Sequence, residues 1–355
     1  TDLVARLSGD EFVAVLTDIH TPDDAAMVAD KLIETMRSAF TVGQLPLTMS
    51  PSIGISLFPG DDTTVQGLLR CADTAMYHAK DSGRGNRQFY QPGMDVHATD
   101  VLQQERQLRE AIASNAFVLH YQPQICLADG SLKGFEALVR WRHPERGLLG
   151  PDKFITFSES RGLITPIGRW VMHEACRQLK AWQDEGLAMV PVAVNLSALE
   201  FRQRDVAGEL AAVLHATGLE PRFLEIELTE SVLMHHTGQV LETLNAIKAL
   251  GVGVTIDDFG TGYSSLAYLK RYPIDKLKID RSFVMDTPQS ADDVAIVTAI
   301  IQMGHSLQLK TVAEGVETAE QKELLHRLGC DLVQGFLVSA PMDAQATQRW
   351  LSPQG

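Results

Sequence analysis

Two rhythms of apolar and polar residues divide the chain. Up to about Pro92, short apolar runs alternate with amphipathic helices. Leu3 to Leu7 and Phe12 to Leu16 flank the polar centre Ser8-Gly9-Asp10-Glu11, the pattern of a β-hairpin. Thr21, Pro22, Asp23 and Asp24 predict a helix start, since proline suits the first helical position and acid suits the first turn. Its apolar face is expected at Met27, Val28, Leu32, Ile33 and Met36. A strand pair around Met49 to Phe58, a second helix from about Val65 to Lys80 and a turn at Gly83-Arg84-Gly85-Asn86 complete an α+β domain cut at its start, assigned to 1–92.

A sparse stripe of Leu102, Leu108 and Ile112 predicts a connecting helix within 93–114. From 115 to 355 the rhythm changes. Apolar runs at Val118–Ile125, Gly134–Trp141, Val190–Leu196, Phe223–Leu228, Gly253–Ile256, Lys276–Ile279, Leu309–Val312 and Leu332–Leu337 alternate with helical segments. That alternation predicts a (β/α)8 TIM-like barrel, whose active site lies at the C-terminal ends of the strands.

A net charge of -14, from 31 basic and 45 acidic residues, provides no field to draw the chain to DNA or an anionic membrane. Any phosphate ligand must therefore be gripped locally. No apolar run approaches the ~18 residues of a membrane helix. Cys71, Cys126, Cys176 and Cys330 lie far apart, which fits reduced thiols and a cytoplasmic location. The chain opens on Thr1 without a signal-peptide pattern and reads as part of something longer, with an upstream sensor or membrane tether as one expectation.

Almost every barrel run carries a charged or amide residue in it or just after it: Glu136, Asn195, Glu227 with Glu230, Asp257 with Asp258, Lys278 with Asp280, Glu314 with Glu317, and Gln334. Any one of these alone is most simply a solvated or capping residue. Jointly they converge on one mouth, and crowded carboxylates repel unless a cation neutralises them. The donors are hard oxygens, which favours Mg²⁺ or Mn²⁺ over Zn²⁺. Two such ions suit phosphodiester hydrolysis. Lys278 and Arg140 supply cations there, although salt bridges to nearby carboxylates explain them as well.

The run Glu136-Ala137-Leu138-Val139-Arg140-Trp141 resembles the signature of the EAL domain family of cyclic di-GMP phosphodiesterases. Val194-Asn195-Leu196-Ser197, Glu227-Leu228-Thr229-Glu230, Asp257 to Ser265, Lys278-Ile279-Asp280, Glu314-Gly315-Val316-Glu317 and Gln334-Gly335-Phe336 resemble its other blocks in order, so that the likeness covers everything from about Glu105. The resemblance implies hydrolysis to linear pGpG, with Glu136, Asn195, Glu227 and Asp257 as metal ligands and Asp258 on a second ion. It implies that Lys278 and Glu314 act on the attacking water, and that Glu230 steadies the loop from Phe259 to Leu266. Gln122, Leu138, Arg140, Asp280, Gln334 and Pro341 are implied substrate contacts. A homodimer through the barrel, near that loop, is also expected. Alternatives are a catalytically silent receptor for cyclic di-GMP and a bifunctional enzyme.

The N-terminal part resembles the second half of a GGDEF, or diguanylate cyclase, domain, through Ser8-Gly9-Asp10-Glu11-Phe12 and the stretch from Ala72-Asp73 to Lys80 and Arg84. Gly9, Asp10, Glu11, Lys80 and Arg84 are its implied nucleotide and metal contacts, with GTP as ligand in a longer protein. Ser8 replaces the first signature glycine, and the family's first strand and other metal-binding aspartate would precede Thr1. A regulatory rather than cyclising role is expected. His235-His236 is read as a solvated loop, and His143 as part of the loop after the Glu136 strand.

Overall fold

The computed structural model describes residues 2–8, 11–37, 40–42, 45–47, 50–82, 85–233, 237–261 and 269–352. Two compact units divide at Leu108 and Arg109. In the first, β1 (Leu3–Ser8) and β2 (Glu11–Val15) pair antiparallel as the expected hairpin. Helix α1 (Pro22–Arg37) follows, its start held by the Asp24 carboxylate, which accepts the amides of His20 and Thr21. After β3 (Phe40–Val42) and β4 (Leu45–Leu47) comes β5 (Ile53–Ile55), then α2 (Val65–Asp81) and β6 (Arg87–Phe89). Thr64 caps α2 by accepting the Gly67 amide at 3.0 Å.

Two expectations for this unit are corrected. Helix α1 buries Ala25, Ala26, Ala29 and Ile33, whereas Met27, Val28 and Leu32 are exposed. The buried residues recur at helical spacing on a face written mostly in alanine, which a search for large apolar side chains overlooks. The stretch 50–58 holds one described strand, β5, and its partner is β6, in parallel across α2. A parallel pair needs such a crossover, so local sequence does not reveal it.

Helix α3 (Met94–Ala113) includes the residue at which the units divide. The second unit then runs through β7 (Phe117–Cys126), β8 (Leu132–His143), β9 (Gly147–Leu149), α4 (Ile155–Ser160), α5 (Ile164–Asp184), β10 (Val192–Leu196), α6 (Ala198–Gln203) and α7 (Val206–Thr217). It continues with β11 (Leu224–Thr229), α8 (Glu230–Leu233), α9 (Thr237–Ala249), β12 (Gly253–Phe259), β13 (Lys276–Ile279), β14 (Lys310–Ala313) and β15 (Leu332–Val333). Helices Ala291–Ser306, Ala319–Arg327 and Ala344–Leu351 follow β13, β14 and β15 respectively.

The strands close a barrel in the order β10-β11-β12-β13-β14-β15-β7-β8, with β8 pairing back to β10. One link differs from the expected alternation. Strands β7 and β8 form an antiparallel hairpin, and β15 meets β7 antiparallel. The turn between them is hairpin chemistry: Asp129 accepts the Ser131 amide at 2.9 Å, and Gly130 takes φ of +69°. It is far too short for the ten or more residues of a parallel crossover.

Outside the barrel wall, Trp182 of α5 packs edge-on against Tyr121 at 4.9 Å and near Phe135 at 6.5 Å. All three are almost wholly buried. Trp182→Ala is expected to cost ~3–5 kcal/mol, read as a lower urea midpoint at unchanged slope. No described helix is long and apolar enough to cross a membrane.

Candidate active site

Strand register sets the site. On β8 the period-two alternation puts Gly134, Glu136, Leu138 and Arg140 on one face, and β7 places Gln124, Gln122, His120 and Val118 directly opposite them. Asn195 of β10 pairs in register with Glu227 of β11, and Lys278 lies two residues beyond the Thr255↔Lys276 pair of β12 and β13. The charged residues therefore meet at one end of the barrel.

The Lys278 ammonium stands at their centre. It lies 2.8 Å from Glu227, 3.2 Å from Glu136, 3.2 Å from Asp257 and 2.6 Å from Glu314. Its side chain is fully buried. Burial opposes its charge, but the four carboxylates prevail and hold it protonated well above the usual lysine range. Glu136 is further held by Asn195 Nδ2, which donates to its Oε1 at 2.6 Å, and by Gln334 Nε2, which donates to its Oε2 at 2.5 Å. Asn195 is otherwise exposed.

Adjacent residues of a regular strand face opposite sides, so Asp257 and Asp258 should not both reach the mouth. A register irregularity between Ile256 and Phe259 resolves this, with Asp258 in the left-handed region at φ +53°. Such a conformation is strained for a residue with a side chain and is typical of functional sites. Just beyond, the Gly260 amide donates to Glu230 Oε2 at 3.0 Å. Residues 262–268, which include most of the expected loop, lie outside the described residues.

Two groups of carboxylates result. Glu136, Glu227 and Asp257 each offer an oxygen within 4.8 Å of the others, and so do Asp257, Asp258 and Glu314. Asp257 belongs to both. Among the described residues, buried Glu227 Oε1 has no hydrogen-bond partner, so one carboxylate oxygen is left for a cation. Hard oxygen donors in two groups sharing one carboxylate fit a hard divalent cation.

Protonation reflects the crowding. Burial, despite Lys278, pushes Glu314 up to about 8, and burial together with Asp257 and Asp280 pushes Asp258 up to about 6. Glu227 is raised well above the usual range, chiefly by burial. Glu136 is also buried, but Lys278, Gln334 and Asn195 outweigh that and lower it. Because Glu314 rises from 4.5 to about 8, the folded state holds more protons than the unfolded one across that window. This contribution to stability is present at low pH and lost as pH rises. In a chelator, the melting temperature should fall from pH 5 to pH 8. With Mn²⁺ the gain over the chelated protein should widen over the same range, since ions compete with protons. A constant gain would speak against ion binding by these carboxyls.

The remaining expected contacts are distributed as follows. Gln122 is buried, its Nε2 donating to the Ser339 carbonyl at 3.1 Å, and its Oε1 accepting from Gln334 at 3.0 Å. Leu138 and Arg140 are half-buried, the guanidinium donating to the Val139 carbonyl at 3.0 Å. The Pro341 carbonyl faces His120 Nδ1 at 3.3 Å, which requires that nitrogen to carry the proton. Asp280 caps helix Arg281–Val284 and accepts the Ser282 amide at 2.9 Å. His143 is the last residue of β8, buried against Trp141, its Nδ1 accepting the Glu145 and Arg146 amides. It is a turn residue of the strand end.

Sequence reasoning passed over Gln124, which donates to Gln334 Oε1 at 2.9 Å. Its signal was the period of two from Gln122. In the first unit, Glu11 begins β2, and Lys80 lies over the Tyr77 ring at 5.2 Å. Burial and Glu11 push the Asp73 carboxyl up while Lys80 draws it down, so the three are electrostatic neighbours. Gly9, Asp10, Arg84 and His235-His236 lie outside the described residues.

The barrel and its sequence are matched by known proteins. The chain belongs to the EAL domain family, matching it over residues 105–341, and it also matches the diguanylate cyclase GGDEF domain over residues 1–86. It is 47% identical, over 97% of its length and 50% of the relative's, to the bifunctional diguanylate cyclase/cyclic di-GMP phosphodiesterase MucR of Pseudomonas aeruginosa. It is 38% identical, over 98% of its length and 52% of the relative's, to the cyclic di-GMP phosphodiesterase PdeR of Escherichia coli. The chain thus spans about half the length of the curated relatives it matches. The solved structure of the PaMucR phosphodiesterase in complex with c-di-GMP is 48% identical at a TM-score of 0.67, covering 69% of this chain and 99% of that one.

Proposed function

We propose that the barrel hydrolyses cyclic di-GMP to linear pGpG in a reaction that requires Mg²⁺ or Mn²⁺. The observation that carries this reading is the pair of carboxylate groups sharing Asp257 around the buried Lys278 ammonium. Similarity to cyclic di-GMP phosphodiesterases supports the choice of substrate. Glu136, Asn195, Glu227 and Asp257 would hold one ion, and Asp258 with Asp257 the other, which leaves Glu314 beside them to act on the water. Bound there, such ions would supply Lewis-acid activation of water and neutralisation of charge on the phosphodiester oxygens.

The chain's own residues do the rest. Lys278 fixes the carboxylates and places a positive charge where negative charge builds up. Glu314, with its carboxyl near 8, is poised to exchange a proton with the attacking water around neutral pH. Glu230 anchors the start of the following loop through the Gly260 amide. Arg140, Leu138, Gln122, Asp280, Gln334 and Pro341 line the approach for the dinucleotide, with Arg140 the one guanidinium among them to grip a phosphate.

Mg²⁺ and Mn²⁺ should support turnover, whereas Ca²⁺ should permit substrate binding and lower turnover at least ~10-fold, since its longer bonds and looser geometry misplace the reacting groups. Full turnover with Ca²⁺ alone would contradict the two-ion reading. Use of a bacterial second messenger as substrate places the reaction in the cytoplasm, and pairing of two barrels is part of the same proposal. The GGDEF-like unit is read as regulatory: GTP should alter the phosphodiesterase rate of the longer protein, through contacts that include Gly9, Asp10, Glu11, Lys80 and Arg84. This chain with GTP should yield no cyclic di-GMP.

A further inference from the structure

Three buried glutamines form a chain of amide hydrogen bonds beside Glu136, and their neighbours fix which end of each amide donates. Gln122 gives its Nε2 to the Ser339 carbonyl at 3.1 Å, so its Oε1 is the end left to accept, and it accepts from Gln334 Nε2 at 3.0 Å. Gln334 Nε2 donates also to Glu136 Oε2 at 2.5 Å. An ionised carboxylate only accepts, so the NH₂ end of Gln334 must face it. Gln334 Oε1 is thereby turned to Gln124, whose Nε2 donates to it at 2.9 Å. Gln124 is 2% exposed, on β7 opposite Gly134, and a Cβ at Gly134 would stand 3.5 Å from its Oε1.

We infer that Gln124 is a positioning residue for the metal site, holding Gln334 with its NH₂ toward Glu136 and so fixing the direction in which that carboxylate presents its oxygens. The inference rests on the reading of Glu136 as a metal ligand. Reversal of Gln334 would set its carbonyl against both Glu136 Oε2 and Gln122 Oε1, three acceptors with no proton between them. A donor at position 124 is what makes the productive orientation complete, because it satisfies the one end of Gln334 that cannot face the carboxylate. Residues that orient a metal ligand in this way typically contribute ~10–100-fold to metal affinity or activity.

The test is Mn²⁺ binding to the whole chain, followed by the loss of the free-ion electron paramagnetic resonance signal, for wild type, Gln124→Glu, Gln124→Met and Glu136→Gln. At a pH where its carboxyl is ionised, Gln124→Glu replaces the donor by an acceptor and is expected to raise the Mn²⁺ dissociation constant at least ~10-fold, whereas the protonated carboxyl can still donate to Gln334. On charge alone, an added carboxylate would tighten binding, so the sign separates orientation from electrostatics. Gln124→Met removes the donor without imposing an acceptor, and a rise of about threefold is expected, smaller than for Gln124→Glu. In hydrolysis, Gln124→Glu should need more Mn²⁺ for half-maximal rate while kcat at saturating Mn²⁺ stays within about threefold of wild type. Wild-type or tighter Mn²⁺ binding by Gln124→Glu with its carboxyl ionised, with weakened binding by Glu136→Gln, would overturn the inference and leave the ligand reading standing. Should Gln124→Glu fail to fold, unchanged Mn²⁺ binding by Gln124→Met would overturn the inference. Unchanged binding by Glu136→Gln would overturn the ligand reading itself.

Discussion

Asp257→Asn is expected to lower the turnover of cyclic di-GMP by ~10³-fold or more while leaving the metal-free protein at least as stable as wild type. Asp257 belongs to both carboxylate groups, so its loss weakens both proposed ion sites together. Removing ~4 kcal/mol of charge stabilisation from the transition state corresponds to about three decades in rate. Stability moves the other way because Asp257 is one of several crowded like charges, and its repulsion helps raise Glu227 and Glu314. Product formation by chromatography and melting in a chelator measure the two effects separately. A rate within tenfold of wild type would remove Asp257 from the ion sites.

Lys278→Met should reverse the stability effect. The ammonium lies between 2.6 and 3.2 Å from four carboxylates and is fully buried, so its removal leaves them without an internal cation. Loss of one partner from a buried ion pair costs ~3–5 kcal/mol, and the variant should melt well below wild type in a chelator. Added Mn²⁺ should recover much of that loss by neutralising the same carboxylates. Turnover should remain ~10²–10³-fold low even with Mn²⁺ saturating, because placement of charge rather than coordination is missing. Melting curves with and without Mn²⁺, alongside rates, distinguish this behaviour from simple misfolding. A stable metal-free variant with normal rates would contradict the central place given to the lysine.

The barrel was legible because its strands are short apolar runs separated by helix-length spacers, and the charged residues at their ends stand out against that background. Glu136, Asn195, Glu227, Asp257 and Lys278 were all marked by position as charged or amide residues in or just after an apolar run. Three features were not legible for specific reasons. The β7–β8 hairpin hides among the strands because its apolar runs look like any others, and only the Asp129-Gly130 turn betrays it. Two neighbouring aspartates at one mouth contradict the alternation rule, and the bulge that reconciles them, with Asp258 at φ +53°, is a tertiary feature. Gln124 carries no charge and makes no motif, so its place in the amide chain depends on register with β8 and on the fold that returns Gln334 to it. In the first unit, the expected large-residue face of α1 failed because burial there follows alanine.

Hydrolysis itself is tested most directly by incubating this chain with cyclic di-GMP and Mg²⁺ or Mn²⁺ and resolving the products by chromatography. Linear pGpG should accumulate with time, stop on addition of a chelator and resume when the ion is restored. Tight binding of cyclic di-GMP with no pGpG in either metal would contradict the phosphodiesterase reading and show a receptor instead.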